Sequence, residues 1–310
     1  MLSGAHHFGV ADSTFQVNSV SGNYIVNNNN YGKGEKEQIS PERREKELEK
    51  IKEWLKPSDP SQNYNEHIEK QVAKTGEWFL NGEEYKKWKE TPNSMMWLQG
   101  EMGCGKSVLI SGVIKNLKEF CSNKAGAAIA YYFFDFRNAS KQDTKDLVTS
   151  LLIQLCSDIN SAPKAFDVLT QMHKNHNSGM SEAGLTALKT ALIDVASLPT
   201  WSCLFIVIDA LDEMEGKSFE IFLKLVEKLN EGIQHVHILV SSRPQIPIAI
   251  ALQELSLASL GIIIFDKANV DTDVEIFLEK TMREHHAFQT RKLFVKEEIK
   301  QTLLENANGM

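Results

Sequence analysis

Residues 95–107 decide the fold; they read Met-Met-Trp-Leu-Gln-Gly-Glu-Met-Gly-Cys-Gly-Lys-Ser. Four of them fit the pattern G-x-x-x-x-G-K-[ST] of a phosphate-binding loop: Gly100, Gly105, Lys106 and Ser107. The residues before the loop form a short apolar run, as in a buried strand, and those after it carry apolar side chains at helical spacing. Strand, glycine loop and helix stand in the order that phosphate binding requires.

The loop has the chemistry to hold a triphosphate. Glycine permits positive φ, so that consecutive backbone N–H groups can surround a phosphate, and the following helix adds partial positive charge. Lys106 is expected to reach the β- and γ-phosphates, and the Ser107 hydroxyl to bind Mg²⁺. Segments just before such a loop sometimes cover the base, which makes Thr75 and Gly76 weaker candidates. The predicted nucleotide-binding residues are Thr75, Gly76, Gly100, Glu101, Met102, Gly103, Cys104, Gly105, Lys106, Ser107 and Val108.

A second motif lies roughly 100 residues further on, where the apolar run 204–208 ends in Asp209. In phosphate-loop proteins an Asp at this strand end holds Mg²⁺, directly or through water. An Asp that merely ends a strand is the simpler alternative, but the upstream loop favours the metal role. The predicted Mg²⁺ ligands are therefore Ser107 and Asp209.

Arg243 follows another apolar run, at the carboxyl end of a predicted strand. Ligands of open α/β sheets bind at these ends, so Arg243 is expected to point into the crevice; a surface Arg is the alternative. Five such runs with helices between them predict a parallel sheet in a three-layer α/β fold. The predicted strands are 95–99, 128–134, 204–209, 236–241 and 261–265.

Composition limits the function classes. The 310 residues are 42% hydrophobic and 24% charged, and the net charge of −7 argues against nucleic-acid binding as the main function, with a local basic patch as the open alternative. The four cysteines are scattered, which suits a reducing compartment. Neither a signal peptide nor an 18-residue apolar run is present, so we predict a cytoplasmic protein without a membrane span.

We predict four segments along the chain. Residues 1–36 are rich in Asn, Ser and Gly; they are expected to be mostly disordered or, alternatively, to form short strands that stack between chains. Residues 37–93 form a helical linker segment, 94–267 the nucleotide-binding domain, and 268–310 helices that leave the sheet.

Three further residues have weaker interpretations. His173 and His176 could share one helical face, but no third ligand stands nearby and a metal site is not favoured. Cys104 lies at a helix N-terminus, where a thiolate is favoured, yet we assign it no redox role.

With these motifs in place, the chain resembles the NACHT class of signal-transducing P-loop ATPases, in the form found in fungal NOD-like receptors and often labelled nephrocystin-like N-terminal. The motifs that carry the resemblance are Gly100–Ser107, Asp209–Glu213, Val240–Pro244 and Thr75–Leu80. It covers about residues 45–310.

The resemblance implies a sheet order of 5-1-4-3-2 and binding of ATP or ADP with Mg²⁺. It implies nucleotide-dependent opening, self-association through this domain, and a role for Arg243 in sensing the γ-phosphate. Residues 1–36 would engage an effector. The family continues into a helical lid, a winged helix and repeats, so 268–310 is expected to be the start of a lid.

One departure concerns catalysis. Many related ATPases place Glu directly after the metal-binding Asp, where it polarises the attacking water. Here that position is Ala210, so Asp212 or Glu213 must take the role, as in NACHT proteins generally, or hydrolysis is very slow. The predicted catalytic residues are Lys106, Asp212, Glu213 and Arg243.

Three functions stay open at this point. The leading one is a nucleotide switch that resets itself by slow ATP hydrolysis. The second is a non-catalytic scaffold that binds nucleotide and acts by self-association. A conventional GTPase or kinase is less favoured, because residues 123–126, Asn-Lys-Ala-Gly, lack the Asp of a guanine-reading [NT]KxD.

Overall fold

The computed structural model describes residues 19–20, 23–24, 40–138, 141–157, 162–233, 235–255, 259–265, 267–289, 291 and 293–307. The chain divides into two compact units, Met1–Ser40 and Pro41–Met310. In the first unit, Ser19–Val20 pairs antiparallel with Asn23–Tyr24. The rest of the predicted segment 1–36 lies outside the described residues, so its disordered and β-stacking interpretations both stay predictions.

A parallel five-stranded sheet forms the centre of the second unit. Its order is β2-β3-β4-β1-β5, which is the predicted order 5-1-4-3-2 viewed from the other edge. The predicted P-loop NTPase fold is thereby confirmed, with strand ends shifted by one or two residues. The strands are β1 (Ser94–Gln99), β2 (Ala127–Phe133), β3 (Cys203–Asp209), β4 (Val236–Ser242) and β5 (Ser259–Ile264).

Helices cover both faces of the sheet. The helices before and inside the sheet region are α1 (Pro41–Leu55), α2 (Ser61–Ile68), α3 (Glu77–Leu80), α4 (Glu83–Glu90), α5 (Lys106–Ser122), α6 (Thr144–Ser157), α7 (Pro163–Asn175), α8 (Leu185–Ala196), α9 (Gly216–Asn230) and α10 (Ile246–Glu254). Those after it are α11 (Lys267–Glu284), α12 (His286–Gln289) and α13 (Leu293–Ala307). None of the helices in the described ranges is long and apolar enough to cross a membrane.

Strand β3 shows why the sheet forms. All seven of its residues are buried, as expected of a central parallel strand that has helices on both faces. Because side chains alternate, Leu204, Ile206 and Ile208 join the core beneath α6, α8 and α9. Phe205 and Val207 join the opposite core, which α4 and α5 cover.

The register places the functional strand ends together. Gln99 at the end of β1 stands opposite Ser242 at the end of β4, and the next strand along, β3, ends in Asp209. The buried Trp97 indole N–H donates to the Ser242 hydroxyl at 2.8 Å. The phosphate loop, Asp209 and Arg243 therefore emerge at one edge of the sheet.

The sequence predicts helices between the strands, and α10 is one that its apolar pattern does not indicate. In α10, Ile248 is buried but Ile246 and Ile250 are exposed, so its apolar residues show no single-faced periodicity. Helix α11 begins at Lys267 and contacts the segment before the phosphate loop through Asp273.

Candidate functional site

Glycines shape the loop between β1 and α5 for two different reasons. Gly103 and Gly105 have φ of 84° and 95°, a conformation that costs L-residues energy but suits glycine. Gly100 is needed for space, because a Cβ there would lie 2.6 Å from the Cys104 sulfur and 3.1 Å from Phe265 Cβ. The predicted glycine loop thus has the open backbone that phosphate binding requires.

Lys106 lies over this loop. Its Nζ donates to the carbonyl oxygens of Gly100 at 2.7 Å and Glu101 at 2.8 Å. These neutral acceptors hold the ammonium group at the mouth of the loop, where a phosphate would offer a stronger, charge-assisted partner.

Ser107 and Asp209 are brought together as predicted. The Ser107 hydroxyl lies close enough to the Asp209 carboxylate to lower its pKa, and this carboxylate accepts a hydrogen bond from the Ser241 hydroxyl. Burial raises the pKa of Asp209, while these hydroxyls and the charges of His67 and Lys106 oppose the rise.

This donor set fits Mg²⁺, which takes oxygen ligands and usually binds through one or two carboxylates together with substrate phosphates. No group of three or more acidic, His or Cys ligands occurs in the described part of the chain. Phosphate and water oxygens would therefore have to complete the shell.

Ala210 turns the chain after β3. It adopts a left-handed conformation, φ 57° and ψ 48°, and a short 3₁₀ turn, Leu211–Glu213, follows. The Ala210 N–H donates to the Ser241 hydroxyl at 3.1 Å, which anchors the turn on β4. The turn directs Asp212 toward the end of β4 and Glu213 toward the loop after β2.

Asp212 is engaged by Arg243. The Arg243 Nε lies 3.0 Å from Asp212 Oδ2, and the Arg243 backbone N–H donates to Asp212 Oδ1 at 2.9 Å. Only 4% of the Asp212 side chain is exposed. Arg243 does lie at the strand end, but its guanidinium is held by this carboxylate, and Asp212 is correspondingly committed to an ion pair.

Glu213 faces the loop that follows β2. Its carboxylate accepts the Phe136 backbone N–H at 2.9 Å. Burial raises the pKa of Glu213; the Phe136 hydrogen bond opposes this, and the nearby acids Asp212, Asp135 and Asp209 reinforce it. Of the two candidate bases, Glu213 is the one without a cation paired to it among the described residues.

The loop after β2 was missed by the sequence analysis. There Arg137 forms a bidentate pair with Asp135, at 2.9 Å from Nε and 2.8 Å from Nη2. The position of Asp135 just beyond a strand's carboxyl end is the same signal that identified Asp209, and it could have found this residue.

A cavity of about 550 Å³ adjoins the phosphate loop. Thr75 and Gly76, the weaker candidates, both line it, as do Gly103 and Gly105 of the loop. Gly76 has φ of 75°, a conformation that favours glycine, and a Cβ there would lie 2.6 Å from Leu109 Cδ1, which would have to shift. Helix α11 forms the far wall, through Val270, Asp273, Val274, Phe277 and Leu278.

The family described as Nephrocystin 3, N-terminal matches residues 74–243. This range is more than half of the chain, and it begins at the segment before the loop and ends at Arg243. The chain belongs to the Nephrocystin 3, N-terminal family. All of the predicted site residues lie inside the matched range, whereas α11 lies outside it. No curated protein matches the chain.

Solved structures resemble the chain only distantly. A Drosophila ORC structure bound to DNA has 16% identity and a TM-score of 0.42 over 79% of this chain and 57% of that one. A Walker-type ATPase of Pyrococcus abyssi has 13% identity and a TM-score of 0.40, over 86% and 64%. For C. elegans PCH-2 the values are 12% and 0.36, over 87% and 58%. The chain thus spans less than two thirds of each, and similarities this weak carry no functional argument.

The structure shows the surroundings of the three residues with weaker interpretations, Cys104, His173 and His176. Burial raises the pKa of the Cys104 thiol despite the Lys106 ammonium 3.9 Å away, so the expected preference for a thiolate is wrong. His173 is buried and pairs with Glu47 at 3.2 Å, while His176 Nδ1 lies 2.8 Å from the Met172 carbonyl. These contacts are those of packed helices.

The left-handed conformation of Ala210 predicts how substitutions at this position change the stability of the protein. Ala210 already bears the cost of about 1–2 kcal/mol that an L-residue has in this conformation. A β-branched side chain is a more severe outlier at this φ, so Ala210→Val is expected to lower the free energy of unfolding further. Ala210→Gly relieves strain but frees the unfolded chain, and should be near neutral. Urea unfolding of the three proteins measures both effects. Equal stability of Ala210→Val and wild type would contradict the left-handed turn.

Proposed function

We propose that this protein is an ATP/ADP-binding switch of the NACHT, NOD-like receptor type, in which slow Mg²⁺-dependent hydrolysis controls conformation and self-association. The observation that carries the proposal is the placement of Lys106 over an open glycine loop, with the Ser107–Asp209 pair beside it. A cation, a metal-ligand pair and an adjoining cavity are the parts needed to hold phosphates, Mg²⁺ and a base.

Each group has a distinct task in this proposal. Lys106 binds the β- and γ-phosphates, and Ser107 and Asp209 hold Mg²⁺, which neutralises phosphate charge when bound. Glu213 takes a proton from the attacking water, since none of the described cations pairs with it and its raised pKa strengthens it as a base. Arg243 senses the γ-phosphate only if it exchanges Asp212 for phosphate.

The exchange of Asp212 for a phosphate at Arg243 supports a nucleotide switch with slow ATP hydrolysis. The Arg243 Nε and backbone N–H both contact Asp212, so a γ-phosphate would compete with this carboxylate for the guanidinium. A ligand moves such an equilibrium only by its differential affinity for the two states, and a clean reversal needs about 5.5 kcal/mol. The γ-phosphate, present in ATP and absent from ADP, is the group that would supply this difference.

The second candidate is a non-catalytic scaffold that binds nucleotide and acts by self-association. Ala210 in the usual position of the polarising Glu, together with the engagement of Asp212, favours it. Tight ADP binding without detectable turnover would select the scaffold. A GTP preference over ATP would instead select the conventional GTPase.

The test of the proposed function is the nucleotide that the protein carries. Chain purified in Mg²⁺ is denatured and the released nucleotide is identified by chromatography. We expect ADP, since slow hydrolysis converts retained ATP. Protein that is empty and also fails to bind ATP or ADP in a titration would contradict the proposal.

Self-association is a separate prediction. With Mg²⁺ and a slowly hydrolysed ATP analogue, light scattering should give a larger mass than with ADP, because the γ-phosphate releases Arg243 from Asp212. Asp212→Asn weakens that ion pair and should raise the mass already in ADP. Equal masses in all of these states would refute the switch while leaving nucleotide binding intact.

The remaining expectations are part of the same proposal. The partners would be nucleotide, further copies of the chain and an effector engaged through residues 1–36, with no nucleic acid, in a cytoplasmic setting.

A further inference from the structure

Asp273 on α11 is the acidic side chain in the wall of the cavity beside the phosphate loop. Its two oxygens lie 2.9 and 3.0 Å from the Gly76 backbone nitrogen, and the Trp78 indole N–H donates to Oδ2 at 3.0 Å. Helix α11 thus contacts the segment before the loop, across 197 residues of sequence.

Among the described residues, the Asp273 carboxylate has no cationic partner. No ion pair to Asp273 occurs within the described ranges, and burial raises its pKa while Gly76 and Trp78 oppose the rise. A half-buried acid that no cation compensates is costly, and such groups concentrate at functional sites.

The surroundings of Asp273 suit a flat aromatic ligand. Apolar side chains form most of the wall near it: Val108, Leu109, Phe265, Val270, Val274 and Phe277. Gly103 and Gly105 line the same cavity, so that a ligand with phosphates in the loop would place its base between α5 and α11.

Besides Asp273, the polar groups of this wall include the side chains of Lys70, Gln71 and Thr75 and the backbone of Gly76. The Thr75 hydroxyl donates to the Val72 carbonyl at 2.8 Å, and the Gly76 N–H is shared by the two Asp273 oxygens. Of those oxygens, Oδ2 accepts two hydrogen bonds and Oδ1 one. A carboxylate oxygen has two lone pairs, so Oδ1 retains an acceptor site.

We propose that Asp273 determines base specificity by accepting a hydrogen bond from the exocyclic 6-amino group of adenine. A single free acceptor matches this single donor group. Guanine presents its N1–H and 2-amino donors side by side and would need both oxygens, while its 6-keto oxygen would meet a negative charge. The inference rests on the proposed nucleotide binding and adds the residue that selects the base.

The test is a double-mutant cycle between protein and ligand. Asp273→Asn removes the charge but keeps an acceptor for Gly76 and Trp78. Purine riboside 5′-diphosphate differs from ADP only by lacking the 6-amino group. Dissociation constants are measured by calorimetry in Mg²⁺ for both ligands and for GDP. Glu284→Gln, at an exposed position on the same helix, controls for loss of one negative charge, and thermal unfolding checks that each variant folds.

We expect the wild type and Glu284→Gln to bind ADP about tenfold more tightly than the ligand without the amino group, as for a charge-assisted hydrogen bond. In Asp273→Asn this ratio should fall to about one, and discrimination against GDP should fall with it. An unchanged ratio in Asp273→Asn would overturn the assignment, as would a wild-type preference for GDP that this variant loses. Failure of the wild type to bind any of the three ligands would instead refute the proposed nucleotide binding.

Discussion

Lys106→Ala is expected to purify without nucleotide and to bind ADP at least about 100-fold more weakly than the wild type. A charge-assisted hydrogen bond contributes about 1.5–3 kcal/mol, and two of them to phosphate oxygens account for this loss. The Lys106 ammonium already lies at the loop, 2.7 and 2.8 Å from two of its carbonyl oxygens, so that binding requires only an exchange of partners.

Lys115→Ala is the matched control for Lys106→Ala. Lys115 lies on the same helix with an exposed side chain, and its removal changes the net charge equally. In calorimetric titration with ADP and Mg²⁺, the dissociation constant of Lys106→Ala should exceed that of Lys115→Ala by at least about 100-fold. Retention of wild-type affinity in Lys106→Ala would show that the loop does not bind phosphate.

Glu213→Gln is expected to bind ATP and ADP normally and to hydrolyse ATP about 100-fold more slowly. General bases contribute about 10²–10⁴-fold to such reactions. The amide can still accept the Phe136 N–H, so the local structure should persist while the basic group is lost. Single-turnover hydrolysis at saturating ATP and Mg²⁺ measures the chemical step.

The pH dependence gives a second readout for Glu213. Burial raises the pKa of this carboxyl above its usual value of 4.5, and a general base acts only when it is deprotonated. The wild-type rate should therefore increase as the pH rises through the elevated pKa of Glu213, and this increase should be missing in Glu213→Gln.

Asp212→Asn separates the two candidate bases. Asp212 is engaged by Arg243, so its loss should slow single-turnover hydrolysis much less than the loss of Glu213. The reverse order, with Asp212→Asn slow and Glu213→Gln at the wild-type rate, would assign the base to Asp212 instead.

Much of the fold follows from local patterns in the sequence. The loop pattern with its apolar flanks predicts β1 and α5, and the apolar run ending in Asp209 predicts β3. These features are local because burial on both faces selects continuous apolar residues. The order of the strands is different: it came from the family resemblance, since apolar runs do not record which neighbours they pair with.

Some residues of the candidate site follow from the sequence, and others are distinguished only by the tertiary structure. Sequence alone identified Lys106, Ser107 and Asp209, because phosphate and Mg²⁺ chemistry demands particular residue types at fixed spacing or at strand ends. It left Asp212 and Glu213 equivalent, as adjacent acids. Only the tertiary structure distinguished them, by placing one against Arg243 and the other against the Phe136 N–H.

Asp273 is the clearest case of what sequence by itself does not determine. Nothing in its neighbours predicts that it reaches Gly76, 197 positions earlier. The contact exists because α11 packs beside the phosphate loop, and a hydrogen bond depends on distance in space and not along the chain. The sequence therefore determined the residues of the candidate phosphate-binding loop, whereas packing determined which partners Asp212, Glu213 and Asp273 contact.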